Sequence, residues 1–141
     1  MDNTFHYLMM VNSSLFNKEI AFESMREGLT PGQPKILDYL DKHDGCLQKE
    51  ISEGTLTDQA TLTGIITKME KKGFIERRMK EGNRRNYYVY LTDLGREKLE
   101  IIKNIFIEKE EKALAGLSEA ERTQFIKMFT KIYANMKDTE C

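Results

Sequence analysis

The sequence predicts a mainly α-helical fold carrying one small antiparallel β-wing, and two observations predict it. Between residues 57 and 73, Leu62, Ile65, Ile66 and Met69 recur at spacings of three and four, so they share one face of a helix that Gly73 stops. From residue 74 to 91 the pattern becomes two β-rich runs, 74–79 and 86–91. They are joined by Lys80-Glu81-Gly82-Asn83-Arg84-Arg85, whose Gly and Asn suit a tight connection. A helix followed by a basic-tipped hairpin is the plan of a winged helix-turn-helix. The face of the 57–73 helix opposite its apolar stripe carries Ala60, Gly64, Thr67 and Lys71, flanked by Thr63 and Lys68, all small or basic. Nothing bulky there keeps another macromolecule away.

The first helix, over 5–22, is apolar on more than one side through Phe5, Leu8, Met9, Leu15, Phe16, Ile20 and Phe22, and such a helix wants two partners. Met9 and Met10, with Phe16 and Phe22, admit two readings: core or dimer packing, or the lining of a plastic crevice for an apolar ligand. Gly28 ends this helix. Thr30-Pro31-Gly32-Gln33 restarts the chain with a capping-box pattern and Pro31 at the first helical position, while Pro34 pulls the exact start forward. Ile36, Leu37 and Leu40 form the inner stripe of the second helix, which His43-Asp44-Gly45 terminates. Cys46 reads as a small buried hydrophobe; a redox sensor would need exposure and a lowered pKa.

Residues 48–54 form a short third helix with Ile51 inward, 55–57 are a turn, and Thr57 or Asp58 caps the fourth helix. Beyond the hairpin, Thr92 caps a long helix through Leu99, Ile102 and Phe106 to about residue 115. Ser118 with Glu121 is a second capping box, opening a last helix with Phe125, Phe129, Ile132 and Met136 on one stripe. These terminal helices are too apolar to stand alone. One domain over 1–141 is therefore expected, with 30–95 as the winged helix-turn-helix region and 1–28 with 96–141 as a helical region that pairs two copies into a homodimer.

Composition sets the outer limits. Apolar residues are 40% and charged residues 32% of the 141, which excludes a disordered or membrane-spanning class, and no apolar run approaches the ~18 residues a bilayer requires. The start of the chain lacks the basic and apolar regions of a secretory signal, so a cytoplasmic protein is expected. Cys46 and Cys141 have no pair spacing, and His6 and His43 stand apart from each other and from any ligand set, so neither disulfide nor metal is expected. No nucleophile triad, carboxylate pair or phosphate-cradling loop is visible, so no enzyme and no cofactor are expected. The formal net charge is -1, but residues 68–85 hold eight basic side chains against three acidic ones, a local +5 that leaves -6 for the rest. Screening confines such fields to roughly 10 Å at about 0.1 M salt, so the local charge governs docking on phosphate. The plainer reading of that run is a solvated surface.

Taken together, these residues resemble the multiple-antibiotic-resistance regulator (MarR) family over nearly the whole chain. The matches are Leu29-Thr30-Pro31 with Gln33, then Gln48 and Glu50 with Ile51, and Met69-Glu70-Lys71-Lys72-Gly73 closing the fourth helix. In the wing they are Asn83, Arg84, Arg85, Val89, Leu91, Thr92, Leu94 and Gly95. The resemblance implies a homodimeric transcriptional regulator, commonly a repressor, on an inverted-repeat operator in double-stranded DNA. Family members are often released by a small aromatic or phenolic effector or by oxidation of a cysteine. Two departures stand out: Asn83 replaces the usual wing acid, and Gly64 lies where many relatives carry a larger, often basic residue.

On this reading residues 58–72 enter the major groove and Arg84 and Arg85 reach the neighbouring minor groove or its phosphates, beside Asn83. Gln59 is placed to pair with adenine, Thr61 and Thr63 to bond bases or phosphates, and Ala60, Gly64 and the Thr67 methyl to approach thymine methyls. Lys68 and Arg78 are assigned to phosphate, and Gln48, at the start of the third helix, to the flanking backbone. The rival reading is a winged-helix module for protein interaction, its basic patch meeting an acidic partner without DNA.

Overall fold

The computed structural model describes residues 3–138, with all their side chains except those of Lys80, Asn83, Arg84 and Arg85. The elements follow in the order α1 Phe5–Arg26, α2 Gln33–His43, β1 Cys46–Leu47, α3 Gln48–Thr55, α4 Gln59–Lys71, β2 Ile75–Lys80, β3 Asn83–Leu91, α5 Asp93–Ala113 and α6 Glu119–Lys137. The antiparallel sheet has the order β1-β3-β2. The chain divides into two compact units, Met1–Lys109 and Glu110–Cys141, the boundary falling inside α5.

The first unit is built on one apolar cluster. Ile36, Leu37 and Leu40 of α2, Ile51 of α3 and Leu62, Ile66 and Met69 of α4 are fully enclosed, and Ile75, Val89 and Ile102 close over them from the sheet and α5. Each such side chain contributes about 1.5 to 3 kcal/mol by leaving water. The stripe predicted for α4 is the buried one, with Ile65 at its margin. Polar contacts then fix the elements around this cluster. The Asp44 carboxylate accepts from the backbone N–H of Leu91 at 2.8 Å and from Arg96 at 2.7 Å, joining the end of α2 to the end of β3 and the first turn of α5. Gly95 lets α5 meet the start of the wing: a Cβ at this position would stand 1.9 Å from the Phe74 carbonyl oxygen.

Three local expectations are corrected. α2 begins at Gln33, with Gly32 as its N-cap at φ 89°, so Pro34 occupies the first turn, where a missing N–H costs nothing, and Pro31 lies in the preceding turn. The Thr30 amide still donates to the Gln33 side-chain oxygen at 3.1 Å, half of the expected capping box. A third strand, β1, pairs Cys46 with Val89 and Leu47 with Tyr88; two residues are too short for a period to show in sequence. The wing connection is shorter than the six residues expected: β2 runs to Lys80 and β3 starts at Asn83, with Gly82 at φ 86° in the turn and the extra residues absorbed by a register shift after Met79.

The termini behave differently from the core. α1 buries only Ile20 and Ser24, while Phe5, Met10, Leu15, Phe22 and Met25 are largely exposed. In the second unit, α6 opens on the predicted capping box, with reciprocal Ser118 and Glu121 hydrogen bonds, and Arg122 bonds Glu111 and the Leu114 carbonyl. Yet none of the residues of α6 is buried. Among the described residues no helix is long and apolar enough to cross a membrane.

Candidate nucleic-acid interface

The interface is assembled by the turn between α3 and α4. Leu56 adopts φ 52°, and its neighbours close around it: the Ser52 hydroxyl donates to the Thr57 carbonyl, and the Thr57 amide donates to the Ser52 carbonyl at 3.1 Å. Asp58 then caps α4, its carboxylate accepting from the Thr61 amide at 2.9 Å and the Thr61 hydroxyl at 2.7 Å. These two bonds, backbone first, hold the Asp58 carboxyl below its ordinary pKa. Because the folded pKa is the lower one, this contribution to stability is present above the ordinary carboxylate range and is lost as pH falls through the depressed value.

The outward side of α4 is open. Gln59, Ala60, Thr61, Thr63, Gly64 and Lys68 are exposed and Thr67 is half-buried. The threonine donors are already engaged: Thr61 on Asp58, Thr63 on the Gln59 carbonyl at 2.8 Å, and Thr67 on the Thr63 carbonyl at 2.8 Å. A hydroxyl has one donor and two acceptor sites, so these side chains offer an acceptor and a methyl group outward. Gln48, half-buried at the start of α3, donates its amide to the Thr63 hydroxyl at 3.0 Å, so it supports the face of α4 as well as lying beside it. Between the starts of α3 and α4 and the hairpin runs a cleft of about 270 Å³, walled by Gln48, Gln59, Thr63, Arg77, Asn86 and Tyr87 among others.

The basic run is not uniform. Arg78 is bonded to Glu76 and lies 4.3 Å over the Tyr90 ring, so the cation assigned to phosphate has an intramolecular partner, although it remains exposed. Lys72 donates to the Gly28 carbonyl at 2.9 Å. Arg77, which the sequence reading counted only as charge, bonds Glu70 through backbone and side chain. The signal for it was present: Arg77 stands two residues beyond the buried Ile75, on the inward side of the strand. Lys68 and Lys71 make no ion pair among the described residues. The side chains of Asn83, Arg84 and Arg85 lie outside the described residues, and their backbone forms the start of β3.

Of the candidate ligand-lining residues, Met9 and Phe16 are half-buried and Met10 and Phe22 are exposed; none lines the cleft. Cys46 is half-buried against the core rather than enclosed, and burial, with repulsion from Glu50, pushes its thiol up to about 11. Among the described residues no group of three His, Cys, Asp or Glu is placed to hold a metal ion.

Comparison with known proteins agrees with this geometry. A model of the MarR family matches residues 29–87, the span from the α2 entry into the second strand of the wing. The HTH-type transcriptional regulator BilQ of Clostridium symbiosum (strain WAL-14163) is 29% identical over 132 residues, 94% of this chain and 92% of that protein. The uncharacterized HTH-type transcriptional regulator YdgJ of Bacillus subtilis (strain 168) is 30% identical over 124 residues, 86% of this chain and 73% of that one. The crystal structure of the S. aureus MepR–DNA complex matches with a TM-score of 0.84 at 25% identity, covering 96% of this chain and 99% of that one. These relatives are transcriptional regulators rather than enzymes, and, with its three-stranded wing and capped fourth helix, the chain belongs to the MarR family of winged helix-turn-helix transcriptional regulators.

Proposed function

We propose that the protein is a homodimeric repressor that binds an inverted-repeat operator, each copy laying α4 in the major groove and its wing against the flanking minor groove. The observation that carries this reading is the outward side of α4: exposed, without bulk, unoccupied by the protein's own side chains around Gly64, and edged by Lys68 and Lys71. The major groove admits one helix and alone distinguishes all four base pairs. Gln59 and the methyl and acceptor groups of Thr61, Thr63 and Thr67 read base edges, with Ala60 and Gly64 allowing close approach. Lys68, Arg78 and Gln48 hold phosphate or the groups that reach it, and Asn83, Arg84 and Arg85 serve the wing. The MepR structure was solved with DNA, which supports carrying the same class of ligand to this chain. BilQ and YdgJ come from bacteria, where a protein working on chromosomal DNA acts in the cytoplasm, and the same compartment is proposed for this chain.

Two copies are required because one α4 reads one half-site, and a two-fold axis matches a palindrome. Release by a small aromatic effector seated at Met9, Met10, Phe16 and Phe22 would act by favouring a spacing of the two α4 helices that no longer fits both half-sites. Exposure of Met10 and Phe22 supports that placement.

A mobility shift with fragments from the promoter beside the gene tests the reading. Wild type shifts them, and replacing Arg84 and Arg85 together with Ala flattens the slope of log affinity against log salt by ~1 to 2 units per monomer, each phosphate contact contributing about 0.9. An unaltered slope removes the wing from the contacts. Absence of any shift leaves the protein-interaction module.

A further inference from the structure

Arg77 occupies an unusual place in the basic run. Its backbone N–H, which points outward from the edge strand β2, donates to Glu70 Oε2 at 3.1 Å, and its guanidinium donates to Glu70 Oε1 at 3.0 Å and Oε2 at 3.4 Å. The same guanidinium lies 5.1 Å over the ring of Tyr87 on β3. The Arg77 side chain is 19% exposed, the Glu70 side chain 37%. One arginine thus connects the last full turn of α4 to both strands of the wing.

The surroundings show why that connection matters. At the base of the hairpin, Phe74, Ile75 and Val89 are anchored in the core, whereas beyond Arg77 the described side chains of Arg78, Met79, Glu81, Asn86 and Tyr87 are exposed, Met79 to 54%. Toward the start of α4 the helix and the wing are separated by the cleft that Arg77 and Tyr87 help to wall. Beyond the buried base of the hairpin and the pairing of β3 with β1, the Glu70–Arg77 contacts tie α4 to the hairpin at this level. Hydrogen bonds to both carboxylate oxygens fix direction as well as distance.

We propose that Glu70 and Arg77 are a positioning pair that sets the wing at the angle to α4 at which both meet DNA together, and that Arg77 is not itself a phosphate contact. This rests on the DNA-binding reading above. The two roles predict opposite signs. A phosphate-binding arginine masked by Glu70 is released by Glu70→Gln, and affinity rises; a positioning arginine loses its anchor, and affinity falls.

The experiment uses the full chain with a shifted promoter fragment, following anisotropy across salt concentrations for Glu70→Gln, Arg77→Lys, Arg77→Gln and the double variant Glu70→Gln/Arg77→Gln. Each single variant is expected to bind about tenfold more weakly, the double no worse than either single, as for residues that act as one unit. Arg77→Lys fails with the others because an ammonium cannot span both carboxylate oxygens and the Tyr87 face as a guanidinium does. The salt slope of Glu70→Gln should fall toward that of the Arg84→Ala/Arg85→Ala variant, since a misdirected wing loses its phosphates. Tighter or unchanged binding by Glu70→Gln, or full affinity with Arg77→Lys, overturns the proposal. Amide hydrogen exchange in the free protein separates its failure from failure of the DNA reading: Glu70→Gln should speed exchange in 75–80 and 83–91 and leave α4 protected. If wild type binds no fragment, the proposed function falls, and unaltered wing exchange removes the pair as well.

Discussion

Gly64 has no reason to be glycine in this protein's own fold. It sits inside α4 with ordinary helical geometry, and a Cβ there would meet nothing within 4 Å. Glycine in such a position costs a helix about 1 kcal/mol relative to Ala, and the proposed DNA contact gives it a reason, since duplex DNA in the groove would come close to the helix backbone. Gly64→Ala should raise the melting temperature by a few degrees, as roughly 1 kcal/mol does for a chain of this size, and weaken operator binding. Melting and anisotropy on one preparation decide it, and a stabilised variant with undiminished affinity removes Gly64 from the contact. Cys46 argues in the other direction. A thiol pushed up to about 11 holds almost no thiolate near neutrality. Its alkylation by iodoacetamide should be slow at pH 7.5 in the native protein and accelerate above about pH 10. Rapid neutral modification that changes DNA affinity would restore a redox role.

At the scale of elements, α6 is the outlier. A helix of 19 residues with a complete capping box but no buried residue has settled its ends and left its apolar side exposed. Phe125 and Phe129 stack with centroids 5.3 Å apart, and Ile126, Met128 and Tyr133 are also exposed. Tertiary packing rather than propensity normally supplies most helical stability, so such a stripe wants a cover. In the proposed homodimer, a second copy would supply it by two-fold symmetry. Phe125→Ser with Phe129→Ser should convert a dimer to a monomer in light scattering and remove binding to an inverted repeat. A dimer that survives both changes would place the interface elsewhere. The wing is the opposite case: Ile75, Val89 and Leu91 root it in the core, while its outer half rises beyond that packing and depends on Arg77 for its angle.

At the scale of the molecule, the order of the helices and the hairpin, the buried stripe of α4 and the caps of α4 and α6 were legible in the amino-acid string because they depend on near neighbours. Leu62, Ile66 and Met69 are set by the helical period, Asp58 caps three residues ahead, and Ser118 and Glu121 pair across one turn. The exposed side of α4 follows by complement, so the surface proposed to meet DNA was readable as an exposed one. The sequence by itself therefore determined which faces of α2, α3 and α4 turn into the core and which side of α4 is left exposed. Only the tertiary structure decided who holds whom across the chain. Gln48 finds Thr63 at a separation of 15 residues, Asp44 finds Leu91 at 47 and Arg96 at 52, and two residues at Cys46 become a strand because β3 is there to receive them. The physical reason is range: periodicity and capping act within a few residues, whereas a polar side chain's partner is chosen by whichever group the folded backbone brings within about 3 Å, and no local pattern records that choice.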